Sequence, residues 1–369
     1  MSMMADRISI FRDLSSDSGL LFSSIDDNEF NRLNLLFEDV YGEENIMGPI
    51  IVQVNRGGRN YVPIAKTHEY ISVAATGAEK KVNNVPKKDT SSFKYEDSRS
   101  SWTDRGLRNR NPKFDRDNRP NLYYPIYVDE STTNEYGHAA VSLGANEDSV
   151  KIYPKNSAGK DDCWRWGKEK LEENVIEGDI DASNVVAKKR RDGTWKIVEK
   201  YRDQTTQVKS LWDESEMRTE SGTIALRNMF GESGLYSHPK PVDLVKKVLI
   251  TGSDPQDNVI DFFGGSGTTA QAAIELAAEE KPRKYTLIEV ADYFDDLLLP
   301  RIKKSVYASE WDSGKPTEKN ELSHMIKYHK IEDYEDSLNN LDSNSEQTDM
   351  GEFTSDKLEY HLNFEVEGP

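Results

Sequence analysis

The stretch that most constrains this chain is Val259-Ile260-Asp261-Phe262-Phe263-Gly264-Gly265-Ser266-Gly267-Thr268-Thr269. A short apolar run ends in a carboxylate, passes through a glycine-rich turn and opens an Ala-rich segment (Ala270, Ala272, Ala273, Ala277, Ala278). That order predicts strand, tight turn and helix, a connection that brings backbone amides and a helix N-terminus up to a small ligand. A glycine-rich turn alone is often only a tight connection, so the flanks decide. The segment lacks the Lys of a phosphate-binding loop, and its spacing is not the dinucleotide fingerprint. A second run, Lys284-Tyr285-Thr286-Leu287-Ile288-Glu289, ends in a carboxylate 22 residues beyond Gly267. At about that separation an acidic residue ending the next strand reaches ribose hydroxyls.

A chain of 369 residues holds two or three domains and sizeable cores. Its one cysteine, Cys163, excludes a disulfide scaffold and a Cys-rich metal site, and no metal is expected. No apolar run approaches the length that spans a bilayer, and the first residues carry no signal-peptide pattern. The expectation is a cytoplasmic protein without a membrane partner.

The net charge of −18 argues against a generic nucleic-acid binder, so its distribution matters. Residues 332–369 carry 12 acidic side chains against Lys357 alone. Two other stretches are basic: Arg99–Arg119 has a balance of +4 and Ala187–Arg202 of +5. Acidic termini around basic middle stretches suit a polyanion held by a local surface, although solvated loops produce the same pattern.

Four segments follow from the patterning. Residues 1–78 read as α/β: a helical pattern over Met4–Leu14, a strand at Gly19–Ile25, and a helix at Glu29–Tyr41 stopped by Gly42. In that helix Phe30, Leu33, Phe37 and Val40 share a face, and β-rich runs follow at Pro49–Asn55 and His68–Ala75. Residues 79–235 are polar, interrupted by Gly, Pro and Asn, and rich in aromatics. Residues 236–308 hold the glycine turn, the second strand and a helix broken or restarted at Pro300. Residues 309–369 form a polar, acidic extension, disordered by composition over Asn339–Met350, with a terminal strand at Leu358–Val366.

The 259–269 segment resembles motif I of the S-adenosylmethionine-dependent DNA methyltransferases, and Ser237-His238-Pro239-Lys240-Pro241 resembles the Lys-Pro motif X that precedes it. Together, in order and at the family spacing, they are similar to the β-arrangement amino methyltransferases, adenine-N6 and Type III Mod-like. The resemblance implies a partial Rossmann-like α/β sheet with an inserted irregular target-recognition region at 79–235. It implies S-adenosylmethionine as cofactor, held by Lys240, Pro241, Asp261, Phe262, Phe263, Gly264, Ser266, Gly267, Thr268, Thr269 and Glu289. It implies DNA as substrate, and the basic charge of the inserted region marks Arg105, Arg108, Arg110 and Arg116 as its expected contacts. For Trp164, Trp166, Tyr123 and Tyr124 of that region, core packing is the expectation over base stacking.

The same family carries its catalysis on (Asp/Asn/Ser)-Pro-Pro-(Tyr/Phe/Trp), whose polar groups accept from the target amine while its ring stacks on the flipped base. No such motif occurs in this sequence. Asp254-Pro255-Gln256-Asp257 lacks the second Pro and the aromatic. Asn111-Pro112-Lys113-Phe114 has the right ends but a Lys in the middle, which leaves Asn111 and Phe114 as weak catalytic candidates. In the family fold the strand that delivers the motif lies between the motif I strand and the strand resembling Leu20–Ile25. The expectation is therefore a C-terminal portion of a methylase, one half of a split enzyme, or an inactive remnant that binds DNA or cofactor. Its implied partners are a polypeptide supplying the motif, a restriction subunit or a second copy.

Overall fold

The helical face expected from Phe30, Leu33 and Phe37 builds the first layer. The helix Phe30–Tyr41 buries Leu33, Phe37 and Tyr41, which pack with Ile8 of the helix Ser2–Leu14 and Ala74 of a strand beneath. It ends where Gly42 turns to φ +85° and returns its amide to Glu38 O, a conformation glycine adopts without a Cβ clash. The computed structural model describes residues 2–58, 63–320, 322–329 and 331. It comprises two units: residues up to Lys81 together with the chain from Ser210 onward, and the insert Val82–Lys209.

The first unit is mixed α/β. Leu20–Ile25 pairs antiparallel with His68–Ala75, which pairs antiparallel with Ile46–Gln53, and that strand takes Leu211–Trp212 in parallel. Leu20–Ile25 is the outermost strand of this sheet. A second, two-stranded sheet pairs Asn258–Asp261 in parallel with Lys284–Leu287. The helix Thr268–Ala278 joins those two strands, burying Ala272, Ala273 and Leu276 against Val242 and Leu249 of the helix Val242–Gly252. Its opposite side, Ala270 and Ile274, packs on Leu298 and Ile302, where a π turn Phe294–Leu298 runs into the helix Leu299–Tyr307. Pro300 sits in the first turn of that helix, where a missing amide hydrogen is tolerated. Among the described residues no backbone ladder links Leu20–Ile25 to Asn258–Asp261, so the two sheets present free edges.

The polar run after Ser309 forms a hairpin, Ala308–Asp312 with Lys315–Lys319, turned through Ser313 and Gly314 at φ 49° and 82°. Gly314 N donates to Asn228 O at the end of the helix Thr219–Phe230. The segments Asn339–Met350 and Leu358–Val366 lie outside the described residues.

The insert, expected to be irregular, contains a seven-stranded sheet. Its strand pairs are antiparallel, and the longest strand, Trp195–Tyr201, buries Trp195, Ile197, Val198 and Lys200. Ser101–Gly106 pairs with that strand on one side and Val185–Lys189 on the other. Trp164, Trp166 and Tyr124 lie in its core with Leu107 and Ile126, and Trp164 Nε1 donates to Tyr124 O at 2.8 Å. Entry and exit meet: Val85–Pro86 pairs antiparallel with Thr205–Thr206, and Lys87 N donates to Gln204 O. The segment 210–235, read with the interrupted region in the sequence, lies in the first unit through the pairing of Leu211–Trp212 with Ile51 and Val52.

Candidate cofactor site and cleft

The glycine turn is braced from both ends. Asp261 closes its strand, and its Oδ1 accepts the Phe263 amide at 2.9 Å while Oδ2 accepts Thr269 Oγ1 at 2.6 Å. Gly264 N donates to Ile288 O and Ile288 N to Asp261 O, tying the turn to the end of the neighbouring strand. Gly265 and Gly267 hold φ +53° and +82°, where L side chains are strained. Gly264 needs its missing Cβ for another reason: a Cβ there would stand 3.0 Å from Leu298 Cδ1 and 3.3 Å from Leu287 Cβ. At Gly265 it would meet the Tyr236 hydroxyl at 2.9 Å. After Gly267 the helix begins at Thr268, leaving first-turn amides that the helix itself does not use.

Glu289 faces this turn. Its Oε2 accepts Gly265 N at 2.8 Å, and its Oε1 accepts Val290 N and Ala291 N at 2.8 and 3.0 Å. Partial burial opposes its charge, but the Ala291, Gly265 and Val290 amides outweigh that and hold the carboxyl below the usual carboxylate range. Tyr293 and Tyr236 meet edge to face at 5.3 Å beside it. Burial, with Tyr236 and Glu289 as neighbours, pushes the Tyr293 hydroxyl up. Ile288 and Val290, on either side of Glu289, leave apolar surface exposed.

Behind the turn lies a cation that sequence reasoning missed. Arg301 is fully buried, and its Nη1 donates to Ser266 O, Ser266 Oγ and Thr268 Oγ1 at 3.1, 2.7 and 2.9 Å. Nε donates to Gln271 Oε1 at 2.8 Å, and Nη2 has no partner among the described residues. Burial pushes its pKa down to about 10, against the pull of Glu275, so it stays charged at neutral pH. The only signal in the sequence is an Arg set in the apolar run Leu297-Leu298-Leu299-Pro300-Arg301-Ile302.

The turn opens into a cleft of about 840 Å³ within the first unit. Two of its walls are the free-edged strands, through Leu20–Ser24 and Asn258–Asp261, and a third is the first helix through Ile8 and Phe11. Phe262, Phe263, Gly264, Ser266, Thr268 and Thr269 all line it. Phe262 meets Phe11 edge to face at 6.4 Å, and Arg7 lies 4.5 Å over the Phe263 ring. Lys240 lines the cleft too, but its Nζ is paired with Glu69 at 2.6 Å. Pro241 is buried as the residue leading into the helix Val242–Gly252. His238 lines the cleft at φ +60°. The structure thus brings the sequence-derived cofactor residues together around one turn; most line the cleft, while Pro241, Gly267 and Glu289 do not, Glu289 meeting the turn through Gly265 N.

Comparison with known proteins decides the family. The family described as DNA methylase, of the N6 and N4 amino type, matches residues 1–298. The chain belongs to that family. It is 30% identical over 283 residues to the Type III restriction-modification enzyme EcoPI Mod subunit of Escherichia phage P1, covering 73% of this chain and 42% of that one. It is 28% identical over 290 residues to the Type II methyltransferase M.KpnI of Klebsiella pneumoniae, covering 78% and 66%. The chain therefore spans under half of the phage relative and about two thirds of the Klebsiella one. The solved M1.HpyAVI–SAM complex aligns at 13% identity with a TM-score of 0.35, over 81% of this chain and 82% of that one.

The residues of this methylase-family chain expected to contact DNA lie in the insert, and they are not equivalent. Arg108 is ion-paired with Asp162, and Arg116 with Asp161 at 2.9 Å. Arg105 lies 4.8 Å over the Tyr201 ring. Arg110 is exposed and lines a concavity with Arg108. Asn111 spends its carboxamide oxygen on the Lys113 amide, a local turn, and the Phe114 ring lies under Arg119 at 4.9 Å.

Proposed function

We propose that this chain is the cofactor-binding and DNA-contacting part of a DNA amino methyltransferase of the restriction-modification type, acting on the adenine N6 amine. S-adenosylmethionine, when bound, supplies the methyl group. The observation that carries this reading is the Asp261–Glu289 frame around the Gly264–Gly267 turn, opening on one cleft in a chain of the methylase family. The residues suit the group: the Glu289 carboxylate is held ionised by three amides, and a ribose hydroxyl can take the acceptor site that the Tyr293 hydroxyl now uses. Ile288 and Val290 offer apolar surface to a base, and the Thr268 helix end offers amides to a carboxylate. Calorimetric titration with S-adenosylmethionine tests it. Saturable binding to the native chain, abolished in Gly267→Val and weakened roughly ten-fold or more in Glu289→Ala, is the expected result. Equal affinity in all three proteins would remove the site from this cleft.

Transfer needs acceptors aimed at the amine and a ring to hold the base, and residues 1–369 contain no Pro-Pro-aromatic motif to supply them. The free edges of Leu20–Ile25 and Asn258–Asp261 and the cleft between them support a partner reading: an extended segment carrying that motif seats there and pairs with both strands. Residues 1–369 alone are expected to transfer no labelled methyl to DNA. Supplying a polypeptide with an apolar strand ending in Asp-Pro-Pro-Tyr is expected to restore transfer. Turnover by these residues alone would refute the partner reading and return attention to Asn111 and Phe114.

A further inference from the structure

The two basic stretches lie far apart in sequence yet become neighbours, because Ser101–Gly106 pairs antiparallel with Trp195–Tyr201. Some of their cations are ion-paired. Lys188 is paired with Asp104, and Lys200 and Arg202 with Asp97, on which both converge. Arg108 and Arg116 are paired as well. Arg110, Arg190 and Lys196 make no ion pair among the described residues, nor does Lys155, and all four line one concavity of about 90 Å³. Gly106 lies on its floor. A Cβ there would stand 3.1 Å from Lys196 Cε, 3.6 Å from Lys196 Nζ and 4.0 Å from Arg110 Nη2. An ammonium and a guanidinium thus converge over the one residue whose missing side chain leaves them room. The indoles of Trp164 and Trp195 and the ring of Tyr153 complete the walls.

We propose that Arg110, Lys155, Arg190 and Lys196 form a phosphate-binding pocket that takes a phosphodiester of the DNA backbone. This rests on the DNA reading above, and it moves the electrostatic contact from Arg105 and Arg116 to a site assembled from both stretches and Lys155. Lys196 is half-buried. Burial holds its ammonium below the ordinary lysine range; Asp104 draws it back up, and Arg110, Arg190 and Lys188 press it down. An anion seated between Arg110 and Lys196 relieves that repulsion. Asp161 and Asp192 feel Lys155 and Arg190 without ion-pairing to them. Guanidinium and ammonium together suit a phosphate, the first as a two-pronged donor and the second as a point charge. In a chain of net charge −18, four such cations lining one concavity concentrate positive charge locally.

The test uses the full chain and two probes. Fluorescence anisotropy of a labelled duplex is measured at several salt concentrations for the native chain, for Arg110→Gln with Lys196→Gln, and for Arg105→Gln with Arg116→Gln. The pocket variant is expected to lose about two units of counterion slope, near one per contact, and the control pair to lose none. In parallel, inorganic phosphate is titrated while tryptophan fluorescence is followed, since Trp164 and Trp195 wall the pocket. A response in the native chain that is absent in the pocket variant supports the pocket, with or without DNA binding. Phosphate binding without any DNA binding would keep the pocket and overturn the DNA reading, marking a free anion as the ligand. An unchanged slope with no phosphate response, or equal losses in the control pair, would overturn the pocket itself.

Discussion

At Arg301 a full charge is held by neutral acceptors, with Ser266, Thr268 and Gln271 its hydrogen-bond partners. Replacing a buried ion pair by apolar residues is often harmless, but removing one member of a buried network strands its partners. Arg301→Met leaves Ser266 O, Thr268 Oγ1 and Gln271 Oε1 without their donor. A loss of about 2–4 kcal/mol in urea unfolding is expected, with partial recovery in Arg301→Lys. No loss would mean that the turn holds its shape without the guanidinium. Glu289 gives a pH signature. Its folded pKa lies below the ordinary value of 4.5, so its contribution to stability is complete above that value and is lost as pH falls through the folded one. Acid unfolding curves of the native chain and Glu289→Gln are expected to stay apart above about pH 4.5 and to converge as pH falls from there through the lower folded value. Asp261, the glycines and Glu289 were legible because strand, turn and strand end obey local rules. Arg301, Tyr236 and Tyr293 were not, because only packing brings residues 236, 293 and 301 to a turn at 264–267.

Elements with a long periodic face were legible: Phe30–Tyr41 starts and stops within a residue of its pattern, and Gly42 marks its end. The insert's sheet was hidden because several of its strands are only two to five residues long, too short for alternation to show. The hairpin at Ala308–Lys319 was hidden because its residues are mostly polar, its stability coming from backbone pairing and from the end of the helix Thr219–Phe230. One contact between elements is open to a sharp test. A Cβ at Gly252, the last residue of its helix, would stand 2.3 Å from Phe22 Cε2 and 3.0 Å from Cζ. Gly252→Ala is expected to cost about 1–3 kcal/mol by forcing that ring aside. Phe22→Leu in the same chain is expected to remove most of the cost. A double-mutant cycle measures the coupling, and strict additivity would show that helix and strand do not meet through this pair.

Across the whole molecule, the insert's strands pair with one another within 82–209, and its two ends are already tied by the ribbon of Val85–Pro86 and Thr205–Thr206. Replacing residues 88–202 by a short turn is therefore expected to leave the first unit folded, with cooperative melting and any nucleoside binding retained, while any DNA affinity is lost. Circular dichroism and calorimetry check the first half, and duplex titration the second. Collapse of the first unit would mean that it draws stability from the insert.

That ribbon has a consequence on a longer timescale. A genetic crossover falling in its two strands would exchange the whole insert while the glycine turn and its carboxylates kept their places. On the proposed reading of the insert, lineages under pressure to change their DNA target would find in Val85–Pro86 and Thr205–Thr206 a ready seam.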